Sequence, residues 1–152
     1  LNHKIRELID MVYKNILVGL DGSSQADNAF KVACGLANAL SADLHLIWIV
    51  NRDRGMDSSF GVNEDFYRDQ YHQVQDKLVS YVEDAKKAGL KVTGEALVGN
   101  IKLVLANEYP KEHGIDLIVL GNTGLNTVEK LVVGSHTSYV IRNSACDVLV
   151  VK

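Results

Sequence analysis

A doubly wound α/β domain on a five-stranded parallel sheet, with helices on both faces, is the fold this 152-residue sequence predicts. Short apolar runs alternate strictly with helix-period segments in the order β-α-β-α-β-α-β-α-β, which calls for crossover helices and hence parallel strands. The strand candidates are apolar on both faces rather than half polar, as strands covered by helices on each side must be. Two turn-rich loops, 21–24 and 121–135, follow the first and fourth strands. They fall where doubly wound sheets bind ligands, beyond the carboxyl ends of the strands at the point where strand order reverses.

Each element has its own justification. Asn15–Leu20 reads as the first strand, ended by Asp21-Gly22-Ser23-Ser24. Ala26, Ala29, Phe30, Ala33, Ala37 and Leu40 recur at helical spacing behind it, with Ser23 or Ser24 as a cap. Asp43–Val50 forms strand two, and residues 51–63 form a polar, glycine-containing loop. A long helix runs from Glu64 to Ala88, marked by Tyr67, Tyr71, Val74, Leu78, Tyr81, Val82 and Ala85, and Gly89 stops it. Strand three spans Leu90–Val98, and Gly99-Asn100 leads into a helix ending near Gly114. Asp116–Leu120 is strand four, Ser135–Asn143 the last helix and Asp147–Val151 strand five. Residues 1–12 form an N-terminal extension to a domain at 13–152. Its Ile5, Leu8, Ile9 and Val12 keep helical spacing, which fits a short amphipathic segment or a partly ordered terminus.

Bulk properties narrow the function. Hydrophobic residues make up 47% and charged residues 23%, the balance of a globular domain, and the net charge of −3 includes no block of one sign. The basic footprint expected of a nucleic-acid binder is missing. No apolar run has the length of a membrane span, and the first residues lack a signal-peptide layout. Cys34 and Cys146 sit far apart and read as reduced thiols, so a cytoplasmic setting without membrane or nucleic-acid partners is expected.

The chemistry concentrates in Gly121, Gly124 and Gly134, the last followed by Ser135. Strand, glycine loop and helix start together suit phosphate. Glycine lets backbone N–H groups approach oxygens, and the first amides of a helix have no internal partner and lie at the positive end of its dipole. A Walker loop would need Lys-Ser or Lys-Thr after its second glycine, which is lacking. A dinucleotide fingerprint would need three close glycines after strand one, where only Gly19 and Gly22 occur. A response-regulator aspartate is missing from the end of strand three, which closes in Val98-Gly99.

The spacing that is present, Gly121-x2-Gly124-x9-Gly134-Ser135, resembles the ATP-binding signature of the universal stress protein family. Ile16–Ser24 is similar to that family's opening strand and acidic turn, and Asp116–Gly121 and Asp147–Val151 to its last two strands, so the likeness covers Tyr13 to Lys152. The resemblance implies a Rossmann-like sheet of order 3-2-1-4-5. It implies that Gly19, Leu20 and Asp21 lie beside the nucleotide, with Asp21 near the adenosine or, indirectly, a bound metal. The backbone of Ile49 would meet the adenine, and Leu120, Gly121 and Gly124 would line the ribose and phosphate side. Gly134, Ser135, His136 and Thr137 would cradle the phosphates of ATP, aided by a divalent cation (Mg2+ or Mn2+), with Lys130 the basic candidate in the loop. His136 departs from the small or apolar residue common at its position. The resemblance also implies a homodimer joined through strand 147–151, an apolar strand expected at a sheet edge.

Plainer readings stand beside these. Gly121 and Gly124 suit a tight turn, Gly134-Ser135 an ordinary helix start, and Asp21 a helix cap. His45 reads as a packed sheet residue, and His3, His72 and His113 are too scattered for a metal site. Trp48 and the helix tyrosines suit core or interface positions. Three functions follow in order. The first is an ATP-binding stress-response regulator with little or no hydrolysis and no catalytic residues of its own, since no carboxylate–histidine pair or arginine finger stands out near the loop. The second is a slow ATPase or phosphotransferase using Asp21, a metal and His136. The third is a nucleotide-independent dimeric assembly module.

Overall fold

The computed structural model describes residues 2–10, 12–52, 64–122 and 134–152. In chain order the elements are α1 (His3–Asp10), β1 (Asn15–Leu20), α2 (Ser24–Leu40), β2 (Asp43–Asn51), α3 (Glu64–Lys87) and β3 (Val92–Gly99). A helical segment α4 over 101–113, then β4 (Leu117–Gly121), α5 (Ser135–Asn143) and β5 (Asp147–Val151) complete it. All strand pairs are parallel and the sheet order is β3-β2-β1-β4-β5, as the alternation and the family likeness anticipate.

Alternate residues of the strands feed two cores. Ile16, Val18, Leu44, Leu46, Leu117 and Val119 point to one face, where α2 and α3 cover them. Leu17, Ile47, Ile49, Ile118 and Leu120 point to the other, under α4 and α5. The buried stripe of α2 is Ala26, Ala29, Ala33 and Ala37, side chains small enough to bring the helix close to the sheet. α3 buries Tyr67, Val74, Leu78 and Ala85, the expected stripe.

Two elements differ from the sequence reading. β3 starts at Val92 rather than Leu90, because the Leu90 N–H is spent on the Ala85 carbonyl (3.1 Å) in closing α3 through Gly89. The 101–113 helix is not regular. It is α-helical over Ile101–Leu103, widens to a π-turn over Val104–Glu108, and returns to α over Tyr109–His113. Pro110 supplies the reason. It lacks an N–H and its ring crowds the carbonyl one turn back, so the turn before it opens, with Tyr109 N–H reaching the Val104 carbonyl.

The N-terminal α1 forms at the expected apolar spacing, yet none of its residues is buried. At the opposite end of the chain, β5 is an edge strand paired only with β4, and its Leu149 is exposed. The Tyr13 hydroxyl donates to Asp147 Oδ2 (2.6 Å), which ties the start of the domain to that edge. Both cysteines are free and half-buried. Among the described residues, no helix is long and apolar enough to cross a membrane.

Candidate functional site at the carboxyl ends of the strands

The site begins as a gap in the strand ladder. β1 pairs with β4 only as far as Val18 opposite Val119, although both strands continue, β1 to Leu20 and β4 to Gly121. On its other side β1 stops at Leu20 opposite Trp48, while β2 runs on to Asn51. Odd-numbered residues of β2 turn their backbone groups toward β1, as Asp43 N–H does to the Lys14 carbonyl, so the Ile49 carbonyl points past the last paired residue of β1. Gly19, Leu20, Leu120 and Gly121 flank the opening between β1 and β4, the switch point at which strand order reverses. The side chains of Leu20, Ile49 and Leu120 are packed in the two cores, so what these residues offer the opening is backbone.

The turn after β1 is held by a short relay. Asp21 Oδ1 accepts from the Ser23 N–H (2.9 Å) and the Ser23 hydroxyl (2.5 Å), and Ser23 Oγ in turn accepts from Ala26 N–H (3.1 Å). Ser23 is therefore the cap of α2, and Asp21 orients that cap rather than serving as it. Donating its own hydroxyl proton to Asp21 leaves the Ser23 lone pairs for the helix. Asp21 itself is exposed, and its Oδ2 accepts no hydrogen bond from the described residues.

Gly121 performs a packing task. A Cβ there would sit 2.7 Å from the carbonyl carbon of Gln25 and 2.8 Å from its oxygen, so the first turn of α2 rests directly on the end of β4. At Gly19 an added Cβ would meet only the Leu105 and Leu120 methyl groups, at 3.0 and 3.3 Å.

α5 begins against this same end of β4. Gly134 N–H donates to the Asn122 carbonyl (2.9 Å). The first intrahelical bond runs from Ser138 N–H to the Gly134 carbonyl. The amides of Ser135, His136 and Thr137 precede it, where a helix leaves donors without internal partners. The N-cap residue is Gly134, and no described side chain caps them. Thr137 is buried and its hydroxyl donates to the Gly121 carbonyl (2.9 Å), which fixes the helix start to the strand end. That hydroxyl proton is used inside the protein, whereas the exposed Ser135 hydroxyl has no hydrogen-bond partner among the described residues.

Burial pushes the His136 imidazole below its ordinary pKa, the Lys102 ammonium pushes it further, and the Asp21 carboxylate partly offsets both. The His136 imidazole thus lies within reach of the Asp21 charge. Lys102, in the first turn of α4, places its ammonium 5.8 Å from the ring centre of Tyr139 on α5. The sequence reading missed this lysine, since it lies far from the glycine loop in the chain. Only its position just behind the strand-three turn could have signalled it.

The structure brings Gly19, Leu20, Asp21, Ile49, Leu120 and Gly121 to one end of the sheet, with Gly134, Ser135, His136 and Thr137 at the start of α5 beside them. Gly124 and Lys130 lie outside the described residues. No cluster of three or more His, Cys, Asp or Glu side chains among the described residues would hold a metal. Asp21 is a lone carboxylate, so a divalent ion there would take most of its ligands from phosphate oxygens and water.

A doubly wound domain whose strands part at its switch point, with a helix N-terminus beside them, is thus the class that fold and site define. The chain belongs to the universal stress protein family, whose model matches residues 12–152. A universal stress protein homologue from Staphylococcus epidermidis is 37% identical over 142 residues, covering 92% of this chain and 84% of its own. The solved UspA of Lactobacillus plantarum superposes with a TM-score of 0.78 at 29% identity, over 94% of this chain and all of its own. A universal stress protein solved in complex with cAMP gives a TM-score of 0.68 at 27% identity, over 93% of this chain and 98% of its own.

Proposed function

We propose that this chain is an adenine-nucleotide-binding regulator that takes ATP, with a divalent cation, in the crevice between β1 and β4. The observation that carries the reading is the start of α5. Three amides ahead of the first intrahelical bond, uncapped by any described side chain, are held beside the split strands by the Thr137–Gly121 hydrogen bond. Such an end binds anions through its N–H groups and its dipole. The Ile49 carbonyl, pointing past the last paired residue of β1, supports adenine recognition, and the exposed Asp21 carboxylate supports contact with the ribose or a phosphate-bound cation. A related protein captured with cAMP agrees with an adenine nucleotide as the ligand class. Regulation rather than turnover follows from the side chains. Asp21 is engaged in ordering the Ser23 cap, and no second carboxylate joins it in a metal-holding cluster among the described residues. The protein acts as a homodimer through β5, whose apolar edge has room for a second copy.

Titration calorimetry of nucleotide-stripped protein with ATP and magnesium tests the reading. Micromolar affinity, about −8 kcal/mol, is expected for the parent protein and its loss for Gly134→Val. Gly134 has φ −57° and ψ 152°, a conformation valine also adopts, and the new side chain would stand at the start of α5. A stripped parent that binds no adenine nucleotide would leave only the assembly-module reading.

A further inference from the structure

Lys102 is a cation in a place that electrostatics disfavours. Asn100 caps the start of α4 by accepting from Leu103 N–H (3.1 Å), so Lys102 lies in the first turn, where the helix dipole is positive. Its ammonium leans over Tyr139. Tyr139 follows Ser135 by four residues and His136 by three on α5, so all three share one face, and helix side chains slope toward the N-terminus. The ammonium therefore stands beside the first turn of α5, a second positive helix end. Among the described residues no carboxylate pairs with it, and its ammonium rests instead on the Tyr139 ring. A lysine and two helix N-termini converge, and no described carboxylate pairs with the ammonium.

We propose that Lys102 is the phosphate-binding cation of the site, pairing with the terminal phosphates of a bound adenine nucleotide and favouring a polyphosphate over a nucleoside. This rests on the nucleotide-binding reading above. It assigns to a described side chain the neutralising role for which the glycine loop offers only Lys130. The ammonium comes from α4 whereas Asp21 follows β1, so base and sugar would meet β1 and β2 while the phosphates run toward α4 and α5. The depressed titration of His136 agrees, because Lys102 is one of its causes.

Calorimetry with adenosine, AMP, ADP and ATP, each with magnesium, on stripped parent, Lys102→Met and Lys102→Arg separates the possibilities. Expected is a loss of at least about tenfold in ATP affinity for Lys102→Met, the scale of one charged hydrogen bond. Adenosine affinity is expected to stay unchanged, and Lys102→Arg to retain ATP. Parent protein that binds ATP while Lys102→Met binds it equally well overturns this inference and leaves the nucleotide reading standing. An equal loss for adenosine and ATP overturns it too, as general damage to the site. Parent protein that binds none of the four overturns both. A second readout needs no nucleotide: the His136 imidazole, followed by proton NMR against pH, should titrate higher in Lys102→Met. An unmoved titration would place the ammonium away from α5 and refute the assignment.

Discussion

Gly121 offers the sharpest test of how this site is built, because it separates packing from ligand binding. The glycine looks like part of a phosphate loop, yet its missing side chain is occupied by α2. In Gly121→Ala the new Cβ would lie 2.7 Å from the Gln25 carbonyl carbon and 2.8 Å from both its oxygen and its Cβ. Ordinary carbon contacts are about 3.5–4.0 Å, so the first turn of α2 must retreat by about 1 Å. The obstacle is backbone and cannot rotate aside. Overpacking of this kind costs about 1–3 kcal/mol. For a chain of this size each kcal/mol moves Tm by about 2–4 °C, so Gly121→Ala should melt about 2–12 °C lower by calorimetry without nucleotide. The control is Gly35→Ala in the middle of α2, where an added Cβ meets nothing within 4 Å. It should gain about 0.5–1 kcal/mol from helix propensity alone. A Gly121→Ala protein that melts with the parent would refute the packing argument and return Gly121 to a purely ligand-facing role.

Two further outcomes are expected. Burial and the neighbouring His113 hold His45 below the ordinary histidine pKa of 6.5. The unfolded chain then binds the proton more readily, so stability is full above that value and falls as pH drops from about 7 to 5. His45→Gln should flatten that part of the Tm–pH curve, with His136 sustaining the remaining slope, and an unchanged curve would show that His45 is not desolvated. At the sheet edge, Leu149 is exposed, so Leu149→Lys should fold normally and sediment as a monomer. A dimer that persists would place the interface elsewhere.

His45 shows where legibility in the sequence ends. Its reading as a packed sheet residue agrees with its partial burial. The partners of its ring come from three separate stretches of chain: Asn15 Oδ1 at 3.2 Å, Thr93 Oγ1 at 3.5 Å, and on α4 the Tyr109 hydroxyl at 3.3 Å and the His113 ring at 5.9 Å. Burial and Glu95 raise Tyr109 to about 12, so its hydroxyl keeps its proton beside this imidazole. Parallel register alone sets Asn15, His45 and Thr93 side by side, through Asn15 opposite Asp43 and His45 opposite Thr93. The scatter of histidines along the chain hid that meeting. The same holds for Lys102, near the glycine-loop helix only because α4 and α5 cover one face.

The sequence by itself determined the alternation of elements, the parallel sheet, the two loops at the ligand end and the glycine spacing that marks the family. These features are local. Apolar period, turn residues and caps act over a few positions, and strict alternation leaves few topologies. Tertiary structure decided what each singled-out residue does. It placed Gly121 under α2, turned the Thr137 hydroxyl inward to Gly121, and brought Lys102 to the helix start. Those roles depend on which groups meet across the fold, to within an ångström, and contacts between segments far apart in the chain leave no period in the sequence to read.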